Sequence, residues 1–191
     1  GMLTLSTIEL RVFDGLVQGS AVLQSTQKSS IAGNLVFERL NSTRLCSALG
    51  SGSLLSGDLA GKARFSAVAV SWAQIFTTMV AEGDFSIQRG SLRGIDFAEA
   101  MRRISGAPVQ GGTTNFEQFS GKMRLTPTGS RFFNLVMNSG LMQSVGAVEL
   151  GSNQNIDGRM DLQMRGSVNQ TRVPITLGGT LKTPTAQIGR K

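Results

Sequence analysis

Site chemistry needs groups that attack, donate or accept, and this chain holds few of them. It has no histidine and no tyrosine. That excludes a Ser-His-Asp or Cys-His catalytic group, an imidazole metal site and a switch titrating near neutral pH. Cys46 is the only cysteine, so neither an intramolecular disulfide nor a thiolate zinc site can be built from it. Its neighbours Leu45, Ala48 and Leu49 read as an apolar helix face, which predicts a small buried hydrophobe and not a reactive thiol. The carboxylates are dispersed. Asp157 and Asp161 fall on the polar side of one strand, about 13 Å apart at about 3.3 Å per residue, too wide for a pair sharing one substrate bond. Asp58, Asp84 and Asp96 are the other acid–base candidates, and no nucleophile or base accompanies them. Residues 57–63 (GDLAGKA) have three residues between the glycines where a phosphate loop has four, and Ala63 where Mg²⁺ needs a hydroxyl. The expectation is a protein that is not an enzyme and takes no cofactor or metal.

The elements that hold these residues are mostly strands. From Ile156 to Met164 every even position is apolar or glycine and every odd one polar, the mark of a half-buried antiparallel strand. Residues 119–125 and 55–67 behave the same way. Further strands are expected at 2–13, 16–25, 31–40, 84–89, 91–95, 131–139, 145–150 and 172–182. Asp14-Gly15 and Arg89-Gly90 read as hairpin turns, and Thr126-Pro127-Thr128-Gly129 as another. Three helices interrupt the strands. One is capped by Ser71, with a stripe of Trp72, Ile75, Phe76, Met79 and Val80 expected to pack on the sheet. A second starts at Asp96 and Glu99, and a third runs from about Ser42 to Leu49. The predicted fold is mainly β (α+β): a long twisted antiparallel sheet of about ten strands with two or three short helices on one face. Residues 105–112 read as a loop inside one continuous sheet, giving a single domain over 1–191.

Composition agrees with a folded chain. Of 191 residues 40% are hydrophobic and 16% charged, which excludes disorder. Glycine is abundant (24) and proline scarce (4), which suggests many turns and bulges. Net charge is +7. Residues 1–100 are balanced, with 8 basic and 8 acidic side chains, while 101–191 hold 11 and 4. The basic residues are spread out, as on solvated strand faces; an anionic lipid surface is the functional alternative, and nucleic acid is not expected. The longest apolar run is Ala67–Val70, far short of the roughly 20 residues that span a bilayer.

Four segments in order give the chain a family look. They are residues 82–97 (EGDFSIQRGSLRGIDF), 112–121 (GTTNFEQFSG), 135–162 and 173–184 (VPITLGGTLKTP). Gly90, Leu92, Gly94 and Asp96 follow a G-x-L-x-G-x-D-L pattern, with Phe97 where leucine is usual. Thr114 and Phe116 follow T-x-F, and Gly179, Thr180, Leu181 and Pro184 follow a closing G-T-L-x-x-P. In these respects residues 81–191 resemble the C-terminal region of the AsmA family, and residues 1–80 share the style with weaker motifs. The resemblance implies a Gram-negative envelope protein facing the periplasm, anchored in the inner membrane by a helix outside these residues. It also implies a groove-bearing β-structure that supports outer-membrane assembly and phospholipid transport, with envelope proteins as further partners.

Under that reading Met123, Leu125, Phe133, Leu135, Met137, Met160, Leu162 and Met164 form a dry sheet face where acyl chains lie. Arg124, Arg159 and Arg165 then stand near anionic headgroups. Two other readings compete. The face is an ordinary core covered by the helices at 71–80 and 97–104, or the domain is structural and docks partner strands through its sheet edges.

Overall fold

The computed structural model describes residues 1–50, 52–103, 107–140, 142–164 and 172–189. The alternating segments form β1 (Met2–Val12), β2 (Gly15–Ser25), β3 (Ser29–Asn41), β4 (Leu55–Ala69), β5 (Val80–Arg93), β6 (Val109–Gln110) and β7 (Thr113–Thr126). They continue as β8 (Gly129–Ser139), β9 (Met142–Gly151), β10 (Ile156–Met164), β11 (Arg172–Gly179) and β12 (Pro184–Ile188). All twelve belong to one sheet in the order β1-β2-β3-β4-β5-β7-β8-β9-β10-β11-β12-β6, and every pairing is antiparallel. The fold class expected from alternation is the one observed.

Short connections make this meander. Phe13 and Asp14 form the first turn, both at positive φ, as a two-residue hairpin requires. Pro127 and Thr128 turn between β7 and β8, and the Thr126 hydroxyl donates to Gly129 O at 2.8 Å.

Between β5 and β7 the chain makes a longer excursion. The Asp96 carboxylate caps α2 (Phe97–Arg102) by accepting from Glu99 N at 2.9 Å. Buried Thr114 of β7 fixes the helix entry, accepting from Phe97 N and donating to Ile95 O. β6 then pairs with β12, and Gly94 and Gly112 bond across the neck of the excursion. The sheet therefore curls until β12 lies beside the β5–β7 connection. There α2 packs on β7, β11 and β12 and closes the inner side.

Several sequence expectations need correction. Arg89-Gly90 is not a hairpin turn. β5 runs unbroken from Val80 to Arg93, and Arg89 sits at φ 51° in a bulge within it. Many of the glycines also serve a purpose other than turning. Gly19, Gly33, Gly61, Gly83, Gly90, Gly121, Gly146 and Gly158 lie mid-strand beneath a neighbour's side chain or backbone. A Cβ at Gly33 would stand 2.7 Å from Phe65 Cζ, one at Gly90 2.6 Å from Phe116 Cζ, and one at Gly61 2.9 Å from Phe37 Cζ. Pro174 lies within β11, between β10 and β12. It sits one residue past the last pair with β12, Ile175 with Ile188. Cys46, in α1 (Ser42–Ala48), is half-buried and not fully enclosed.

The helix read at 71–80 is a 3-10 helix, Trp72–Thr78, without a side-chain cap from Ser71. Only Ile75 of its apolar stripe is buried, against Ala67, Ala69, Ile31 and Met79. Because Ser66 of β4 already pairs with Val80 of β5, the connection has only the end of the sheet to rest on.

The Gly61→Val variant tests the close packing. Its Cβ would meet the Phe37 ring and the Asp84 carbonyl together. We expect a loss of about 2–3 kcal/mol in urea unfolding, and a loss under about 0.5 kcal/mol would show that ring and backbone are free to give way.

Candidate functional site

The register puts apolar side chains on one face across the whole sheet. One row of partners runs Ile8, Gly19, Leu35, Ala63, Gly83, Met123, Phe132, Val148, Gly158, Leu177, Ala186 and Val109, one residue from each of the twelve strands. A neighbouring row runs Leu5, Ala21, Gly33, Phe65, Ala81 and Leu125. On the opposite face the matching row reads Glu9, Gln18, Val36, Lys62, Asp84 and Lys122. The sheet is thus amphipathic throughout, with an apolar inner face and a polar outer face.

The inner face changes character along its length. From β5 to β12 it is a closed core. Ile87, Leu135, Met137, Met160, Leu162 and Ile175 are all buried, and Phe97 and Ala100 of α2 seal them. From β1 to β4 it is less covered: the β1 side chains are mostly exposed, those of β2 to β4 are mostly half-buried, and the 3-10 helix and α1 rest on β3 and β4. Leu3 is 56% exposed and Leu10 is 52% exposed, and Leu5 and Val12 are exposed beside them. β1 is also an edge: it pairs with β2 alone among the described residues.

The expected lipid-facing residues separate into groups. Leu135, Met137, Met160 and Leu162 are fully buried in the closed core. Met123 and Leu125 are half-buried on the inner face, between core and open part. Met164 is 42% exposed at the end of β10 opposite Met142. Phe133 is on the other face. Asn134 adopts φ 50° in a bulge of β8, so Phe132, and not Phe133, joins Met123 on the inner side. Phe133 stands outside opposite Lys122, with the Arg131 guanidinium 5.9 Å from its ring centre.

Of the expected headgroup-facing residues, Arg124 and Arg159 are exposed outer-face side chains. Arg124 is flanked by Glu82 and Arg131, and Arg131 pairs with Glu149 at 3.2 Å. Arg159 lies 3.8 Å from Asp161. A lipid lying on the inner face would be separated from Arg124 and Arg159 by the sheet itself. Arg165 lies outside the described residues.

The residues that sequence reasoning missed are in the first three strands: Leu3, Leu5, Leu10, Val12, Val17 and Leu35. Their alternation was legible, but nothing in it shows that no helix covers them. Among the described residues, no cluster of three or more His, Cys, Asp or Glu could hold a metal. Asp58 pairs with Arg89 at 3.1 Å and Asp84 with Lys62 at 3.7 Å, both as exposed ion pairs. Two shallow cavities of about 260 and 370 Å³ lie away from the open face, one around Arg39, Ser86 and Arg89, the other around Leu54, Gly94 and Pro184. Comparison with family models, with curated proteins and with solved structures finds no match to this chain.

The division into closed and open parts is measurable. Leu162→Ala removes a wholly buried side chain and is expected to cost about 3 kcal/mol, whereas Leu10→Ala should cost under about 0.5 kcal/mol. Equal losses in urea unfolding would contradict the division. Ser144 gives a second check. It is buried between Met137 and Leu162, and its hydroxyl lacks a partner. Ser144→Ala should be neutral or stabilise by up to about 1 kcal/mol, and clear destabilisation would mean that the hydroxyl is satisfied.

Proposed function

We propose that this chain is a non-enzymatic envelope domain, related to the C-terminal region of the AsmA family, that holds or conducts phospholipid acyl chains. The apolar row that crosses every strand carries this reading, because it begins on the open face of β1–β4 and runs without a polar break into the closed core. A soluble domain normally buries a strip of leucines of this length. Here Leu3, Leu5, Leu10 and Val12 remain in water. Acyl chains suit them as a cover, since extended methylene chains match a face of branched side chains and ask for no hydrogen bonds. The proposed path lies over β1–β4 and reaches Met123 and Leu125, and the outer arginines take no part in it. The setting that goes with the family reading is the periplasmic face of the inner membrane, with support of outer-membrane assembly as the task.

A second reading rests on the free edge of β1. Its eleven residues leave backbone donors and acceptors unpaired, and added strands from a partner would both complete the ladder and extend the inner face. In this reading the domain is structural, and its ligand is a strand.

Organic extraction and mass spectrometry of protein purified without detergent distinguish the two. The proposal expects co-purified phospholipid, with Leu5→Asp and Leu10→Asp, both at exposed positions, lowering affinity for a fluorescent phospholipid about ten-fold. Folded, lipid-free protein that also fails to take up that probe would end the acyl-chain reading and leave the strand-docking one.

A further inference from the structure

In an antiparallel meander alternate connections share an end of the sheet. The end that carries the 3-10 helix also carries the turns at 26–28, 127–128 and 152–155. These four connections together hold one charge, the exposed Lys28, and no carboxylate. The fifth connection at this end, 180–183, adds only Lys182. The opposite end bears both signs, with Asp14, Asp96 and Glu99 beside Arg44, Arg102 and Arg103. From Phe65 to Ala81 there is no charged residue. Within that stretch Phe76 is 78% exposed, Val70 76% and Trp72 39%. Large apolar side chains on a connecting segment are ordinarily turned inward, and here Ile75 alone anchors the helix while its neighbours project. Two of the helix carbonyls accept hydrogen bonds from its own threonines. The Thr77 hydroxyl donates to Gln74 O at 2.7 Å and the Thr78 hydroxyl to Ile75 O at 3.1 Å.

We propose that this end of the sheet docks on a phospholipid bilayer, with Phe76, Val70 and Trp72 entering the interface and Lys28 resting on the headgroups. A tryptophan with a half-exposed ring suits the boundary between headgroup and acyl chain. Internally bonded carbonyls lower the cost of leaving water. Lysine without a nearby carboxylate favours anionic lipid. The inference does not depend on lipid occupying the open face of β1–β4, because a bilayer contact at the helix needs none there.

Trp72 is the only tryptophan and there is no tyrosine, so its emission reports this end alone. The test mixes the whole chain with phosphatidylcholine vesicles, with and without phosphatidylglycerol, and reads emission together with flotation. Co-flotation, a blue shift and quenching by brominated acyl chains are expected, with binding roughly five-fold tighter when phosphatidylglycerol is present. Phe76→Asp should weaken binding about ten-fold or more with unchanged circular dichroism, and Leu49→Asp, exposed at the opposite end of the sheet, should leave it unchanged. Three results would overturn the proposal: no flotation, Phe76→Asp binding like the parent, or loss of binding in Leu10→Asp with retention in Phe76→Asp. The last of these would place the membrane contact on the β1 face. Failure of the acyl-chain reading alone would show as lipid-free protein that still floats.

Discussion

A bulky side chain laid over the glycine of the next strand is the contact on which this sheet depends. Phe65 covers Gly33, Phe37 covers Gly61, Phe116 covers Gly90, and Leu135 covers Gly121. A side chain standing upright on both strands would hold the inner face flat and thick. Glycine lets the ring lie down, recovers apolar contact without a Cβ, and allows neighbouring strands to bend inward. The edge-to-face contacts of Phe85 with Phe119 and Phe132, and of Phe116 with Phe119, then tie β5, β7 and β8 together around the closed core. The curl that brings β12 back to α2 and β6 follows from this packing. The polar face adds little to it, because its ion pairs join exposed side chains.

Bulges set which residues meet. Arg39, Arg89 and Asn134 adopt φ near 50° within β3, β5 and β8, and each shifts the alternation of its strand by one. Beyond each shift the polar and apolar faces would exchange sides unless the sequence also exchanged its pattern. It does: Phe132 and Leu135 are three apart and both face inward. These local breaks keep a single apolar face over strands of up to fifteen residues in a twisted sheet.

Strand identity, antiparallel order and the Asp96 cap were legible, because each has a local signature. What the sequence did not reveal was set by longer-range geometry. Phe133 was read as inward because strict alternation has no way to register the bulge at Asn134. Arg89-Gly90 has the composition of a turn, yet its neighbours Ser56 and Asp58 of β4 continue past it. The stripe from Trp72 to Val80 has helical spacing, but burial needs a surface beneath it, and the sheet ends where the helix begins. For the candidate site, alternation identified the apolar face correctly in β7 and β10, and in β8 only beyond the bulge, at Leu135 and Met137. It could not show that α2 and β6 close that region while the inner face of β1 stays exposed.

The hook of β6 over β12 has a further effect. A sheet with two free edges can add copies of itself at both and grow into a fibre. Here the far edge is the two-residue β6, held on β12 beside the neck around Gly94 and Gly112, so among the described residues β1 is the one long edge that offers unpaired backbone. Two copies that met there by symmetry would each consume the other's free edge and stop. Symmetric pairing through β1 therefore stops at two copies, and a long exposed strand that would ordinarily threaten solubility becomes a contact that closes on itself.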